Sequence, residues 1–100
     1  MEVKNTLITF IVSHGEAYDV MAAAREAGAK GGTIVNAHGT GKEEDFKFFG
    51  MNLRAEKEKL LIVAENDQVN KILDAVKDLP VFKRVGGGII YTTAVTRIIP

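Results

Sequence analysis

Two apolar, β-rich runs dominate the chain, Leu7 to Val12 and Leu60 to Val63, and each leads into a helical stripe and then another β-rich segment. Residues apolar on successive positions are buried on both faces of a sheet. Ser13-His14-Gly15 ends the first run. Ala17, Val20, Met21 and Ala24 then follow the i, i+3, i+4, i+7 spacing of a one-sided helix, predicted over 16–27 and stopped by Gly28. After the Gly31-Gly32 turn, Thr33 to His38 predicts a second strand. The second half repeats the scheme. Lys57 to Ala64 predicts a strand, and Asn66 or Asp67 is placed to cap a helix with the stripe Val69, Ile72, Leu73 and Val76, which Pro80 stops after Leu79. Beyond Val81 to Val85 and the triple glycine Gly86-Gly87-Gly88, Ile89 to Ile98 predicts the last strand.

The order strand, helix, strand, strand, helix, strand is that of the ferredoxin-like α+β fold, βαββαβ, with four antiparallel strands and two helices on one face. The 100 residues supply one domain and a thin core. Two helices cover only one face, yet 7–12 and 60–63 offer apolar groups to both. A second copy of the chain is the expected cover, so an oligomer built through the sheets is predicted. In this topology the ends of the first two strands (His14; His38 and Gly39) and the start of the third (Lys57) meet at one edge. Residues 39–56 leave that edge as a long loop, expected to be mobile, and loops of this length are often functional.

Composition narrows the function. Thirteen basic and thirteen acidic residues cancel, so no general field attracts nucleic acid or an anionic membrane. The chain has no cysteine, which removes disulfides, thiolate metal sites and a Cys nucleophile. It also fits a reducing cytoplasm, the expected location. The apolar run 7–12 is too short for a signal peptide's hydrophobic region or a membrane span.

Gly39-Thr40-Gly41 reads as a tight turn or as backbone that approaches an anion closely, with Lys57 nearby to supply charge. Gly86-Gly87-Gly88 carries the same alternatives, a specific turn or ligand approach against a flexible connection. His14 and His38 invite a metal, but two strand spacings, about 10 Å, would keep them from one ion within a subunit. Glu43, Glu44 and Asp45 are consecutive loop carboxylates, the pattern of a solvated surface. Phe46, Phe48 and Phe49 either fold back on the domain or dock onto a partner. No set of nucleophile, base and orienting group emerges, so catalysis is not expected.

The run from Arg25 to Gly41, with Gly31-Gly32-Thr33 and Gly39-Thr40-Gly41 in step, resembles the helix-to-loop segment of P-II nitrogen regulatory proteins. The Lys57-Glu58-Lys59 strand start and the late glycines match as well, so the resemblance spans essentially the whole chain. Gly39 to Glu44 followed by Phe48-Phe49-Gly50 resembles a divergent, shorter-looped branch. The resemblance implies a homotrimer that binds an adenine nucleotide between subunits and moves its loop against a membrane transporter or an enzyme. By matching position it implies that Thr33, Leu61 and Val63 line the adenine pocket and that Gly39 and Gly41 approach the nucleotide. Lys57, Gly86 and Gly88 would face phosphates. Residues 42–54 would form the effector arm, with Lys42, Phe46, Phe48 and Phe49 as its partner contacts.

The departures from the family pattern are specific. Ile89 stands where a lysine is usual, and two arginines of the C-terminal strand extension are missing; Arg97 matches neither. Each lost cation removes a charge-assisted contact of about 1.5–3 kcal/mol, so weak triphosphate (ATP) binding is expected, with AMP, ADP or a related adenosine compound as the ligand. No tyrosine lies in the loop for uridylylation; Tyr18 and Tyr91 are elsewhere. The alternative reading is a CutA-like divalent metal protein on the same trimeric scaffold.

Overall fold

The computed structural model describes residues 3–38, 47–48, 51–52, 56–84 and 87–100. Strand β1 (Asn5–Ser13), helix α1 (Ala17–Glu26) and strand β2 (Thr33–Ala37) make the first half. Two-residue strands β3 (Lys47–Phe48) and β4 (Met51–Asn52) precede β5 (Lys57–Glu65), α2 (Asn66–Val76), the short α3 (Pro80–Lys83) and β6 (Gly88–Val95). The main sheet runs β2-β5-β1-β6, antiparallel throughout, which is the ferredoxin-like arrangement.

Strand alternation divides the sheet into two faces. On one, Ile8, Phe10 and Val12 of β1 and Leu60, Ile62 and Ala64 of β5 are buried with Val20, Met21 and Ala24 of α1 and Ile72 and Val76 of α2. Ile34 and Ile90 extend this core onto the edge strands. The helix stripes read from spacing are the ones buried, because only those positions face the sheet. Gly32 is fixed by the same packing: a Cβ there would lie 2.9 Å from Leu60 Cδ1 and from Met21 Sδ.

Helix α1 ends as its sequence dictates, with Gly28 at φ +113° past the last turn. Its start is capped from a distance. Glu16 makes no side-chain cap; instead the Ala17 N–H donates to Glu58 Oε1 at 2.9 Å. In α2 neither Asn66 nor Asp67 serves as the N-cap. The Asn66 side chain instead accepts from Thr6 Oγ1 at 2.7 Å and donates to the Val3 carbonyl at 2.9 Å, tying the helix to the start of β1. The second helix stops at Val76, three residues before the expected end. Leu79, preceding a proline, is extended, and Pro80 takes the first position of α3 instead of merely ending α2. That short helix occupies part of the segment 81–85. Within the long loop, β3 and β4 pair in antiparallel register, Lys47 with Asn52 and Phe48 with Met51. The loop is therefore not wholly without secondary structure.

Candidate functional site

The uncovered face of the sheet carries the alternate residues. Leu7, Thr9 and Ile11 of β1 register with Val63, Leu61 and Lys59 of β5 and with Thr93, Tyr91 and Ile89 of β6. Thr33 and Val35 of β2 register with Leu61 and Lys59. The surface is mixed: aliphatic groups alternate with hydroxyls, a phenol and lysines. Val63 is 52% and Val35 43% exposed, whereas Thr9, flanked by Leu61 and Tyr91, is 2% exposed.

Thr33, Leu61, Val63 and Lys57 all lie on this face. Thr33 stands directly opposite Leu61, and Val63 is the next outward residue along β5. Val63 also borders a cavity of about 390 Å³ with Asn5, Gly28, Lys30, Glu65 and Gln68. Lys57 is four residues from Leu61, so strand rise puts the two about 13 Å apart. The expected adenine-lining group and the expected phosphate-facing lysine thus sit at opposite ends of one face. Gly88 pairs with Val12, two strands from Lys57 at the same end of the sheet, about 10 Å away.

Packing within the chain explains two of the late glycines. A Cβ on Gly87 would collide with the Val81 carbonyl oxygen, and one on Gly88 would meet the Phe82 ring at 2.9 Å. The Gly87 N–H donates to the Arg84 carbonyl at 3.1 Å. Arg84 Nη2 contacts both carboxylate oxygens of Glu16 at 2.9 Å, linking the end of α3 to the residue before α1. Gly39, Gly41, Lys42, Phe46, Phe49 and Gly86 lie outside the described residues. Phe48 is described only by its main chain in β3.

At the loop end of the sheet the strand geometry holds as expected, and it goes further than the spacing indicated. His14, Asn36, Ala37, His38, Glu56 and Lys57 line one cleft of about 230 Å³, so the two histidines share a surface despite belonging to different strand ends. Lys57 is only 5% exposed there. His14 Nδ1 lies 3.6 Å from Glu58 Oε2, an ion pair when the ring is protonated. Sequence reasoning missed Glu58. The available signal was its register: two residues before Leu60 and four before Ile62, it falls on the covered face, where a carboxylate needs a partner. Among the described residues no group of three or more His, Asp or Glu side chains is placed to hold a metal ion. No described helix is long and apolar enough to cross a membrane.

Comparison with known proteins agrees with the fold and identifies the family. None of the curated proteins matches the chain. Among solved structures, a PII-like signaling protein from Thermus thermophilus superposes with a TM-score of 0.67 over 95% of this chain and 91% of its own, at 20% identity. That likeness speaks for the fold alone. The model of the nitrogen regulatory protein P-II family matches residues 5–100, every element of the sheet included, and the chain therefore belongs to that family.

Proposed function

We propose that this P-II family protein is a non-catalytic signal transducer that assembles as a homotrimer, binds an adenine nucleotide between subunits and regulates a transporter or enzyme through residues 39–56. The observation that carries the reading is the open face: Thr33, Leu61, Val63 and Lys57 share it, and none of the described helices lies over its aliphatic rows. A neighbouring subunit over such a surface brings a second wall to these residues, and a cleft between the two walls holds the ligand. Lys57 contributes a cation at the loop end of the cleft, and Gly39 and Gly41 the close backbone approach. With Ile89 in place of a lysine, fewer charges hold a long phosphate chain, so AMP or ADP is the preferred ligand and ATP binds weakly. Ligand transmits its signal only by favouring one arrangement of the loop over another. The protein acts in the cytoplasm.

Isothermal calorimetry with AMP, ADP and ATP, with and without magnesium, tests the reading. The expected result is saturable binding at about one nucleotide per subunit, with ATP no tighter than AMP. Much tighter ATP binding would contradict the cation argument, and no heat with any of the three would detach the protein from nucleotides. Limited proteolysis tests the signalling half: ligand should change cleavage within 42–54, and an unchanged pattern counts against it.

A further inference from the structure

Strand β2 begins at Thr33, opposite Leu61, so β5 continues from Ile62 to Glu65 with no strand on that edge among the described residues. The connection leaving α1 does not take the place of one, because the Gly28 and Ala29 N–H groups turn back to the Arg25 and Ala24 carbonyls. The notch between this connection, the end of β5 and the first turn of α2 is the cavity of about 390 Å³, a size that suits a small molecule. Of the residues assigned to the nucleotide, only Val63 borders it. The polar side chains of the lining have no partner within the described chain. Lys30 comes from the connection, Asn5 and Glu65 stand directly opposite each other on β1 and β5, and Gln68 comes from the first turn of α2. Among the described residues none of these four side chains makes a hydrogen bond or an ion pair, although Lys30 and Glu65 carry opposite charges. The neighbouring Asn66, by contrast, engages both ends of its amide. Gly28 leaves room for the Gln68 amide, since a Cβ there would stand 3.0 Å from Oε1.

One ammonium, one carboxylate and two amides around a single cavity select the charge pattern of a ligand. A simple anion would face Glu65 and a simple cation would face Lys30, and the described residues offer no three-ligand metal set. A neutral ring would serve the amides and neither charge. A zwitterion serves all four groups, because each amide offers both an acceptor oxygen and N–H donors. We propose that this cavity binds a free α-amino acid, its carboxylate on Lys30, its ammonium on Glu65 and its remaining hydrogen bonds on Asn5 and Gln68. Ala29 and Val63 supply the apolar wall for its side chain. The site is a second ligand site, and it does not depend on the nucleotide reading.

Amide NMR on the full chain tests this with each protein-forming L-α-amino acid in turn, followed by calorimetry of the tightest binder. At least one amino acid should move the amide signals of Gly28, Lys30, Glu65 and Gln68. The matching amine, which lacks the carboxylate, and the matching carboxylic acid, which lacks the ammonium, should each bind at least roughly tenfold more weakly. Lys30 and Glu65 are exposed, so Lys30→Gln and Glu65→Gln should keep the circular dichroism spectrum, and each should weaken the amino acid by roughly tenfold or more. The proposal is overturned if no amino acid moves those signals, if either analogue binds as well as the amino acid, or if either folded variant keeps full affinity. Adenosine is the control: signals at Lys30 and Gln68 that move with adenosine and with no amino acid would give the cavity to the nucleotide and end the proposal.

Discussion

The two faces of the sheet use the same strands for different ends. Along the middle of the covered face the register positions carry aliphatic or aromatic groups, and Ile8, Phe10, Leu60 and Ile62 are fully buried within one chain. On the open face the same strands present Leu7, Thr9, Ile11, Lys57, Lys59, Leu61 and Val63, a mixture that a solvent-exposed sheet would not need and a private core would not tolerate. The difference teaches that folding is written on one set of alternate residues and, on the proposed function, assembly and ligand binding on the other.

Substitutions that respect this alternation should separate the two roles, and the largest effect belongs to the covered face. Phe10→Ala removes a fully buried ring that meets Phe82 at a centroid distance of 6.3 Å, and should cost about 3–5 kcal/mol in a urea melt. Leu61→Ala, on the open face, should cost far less in the dissociated chain; equal costs would break the comparison. Glu58→Ala deletes the long-range cap of α1 and should lower stability by about 1.5–3 kcal/mol, since a carboxylate accepting a buried N–H is lost. Amide exchange at Ala17 should rise in that variant, and an unchanged rate would deny Glu58 the capping role. The glycines sharpen the contrast between a packed turn and an open one. Gly87→Ala meets the Val81 carbonyl and should destabilise by about 1–3 kcal/mol, whereas Gly31→Ala meets nothing and should be neutral or slightly stabilising.

The smallest effect is electrostatic. The Lys83 ammonium, 2.9 Å from Asp78 and hydrogen-bonded to it, holds that carboxyl below the usual carboxylate range, with Lys77 adding to the pull. A lowered folded-state pKa means the pair favours the fold above the unfolded value, and that support is lost as pH falls through the folded one. Both side chains are largely exposed, so Asp78→Asn should leave the melting transition essentially unmoved, while an NMR titration of the carboxyl in the unaltered chain still shows the depression.

Much of the fold was legible because its signals are local and periodic. The stripe Ala17, Val20, Met21, Ala24 and the runs 7–12 and 60–63 identify their own partners once the strand order is fixed. What the sequence concealed depends on residues far apart in it. Glu58 caps a helix that starts at Ala17, Asn66 ties α2 to β1, and Gly87 is required by a carbonyl of α3; in each case the neighbour that decides the role is absent from the local pattern. The same holds at the candidate site. Thr33 opposite Leu61 follows from register, but the sharing of one cleft by His14, His38 and Lys57 needed the shape of the sheet's end. Pro80 misled for a different reason: a residue that ends one helix is equally suited to begin the next.

Sedimentation velocity on the unaltered chain and on Leu61→Asp tests the division between the faces most directly. The account predicts a species of three times the 10.9 kDa chain mass, converted by the substitution to a folded monomer with its circular dichroism spectrum retained. A monomer in the unaltered protein, or a trimer indifferent to a carboxylate at the centre of the open face, would contradict it.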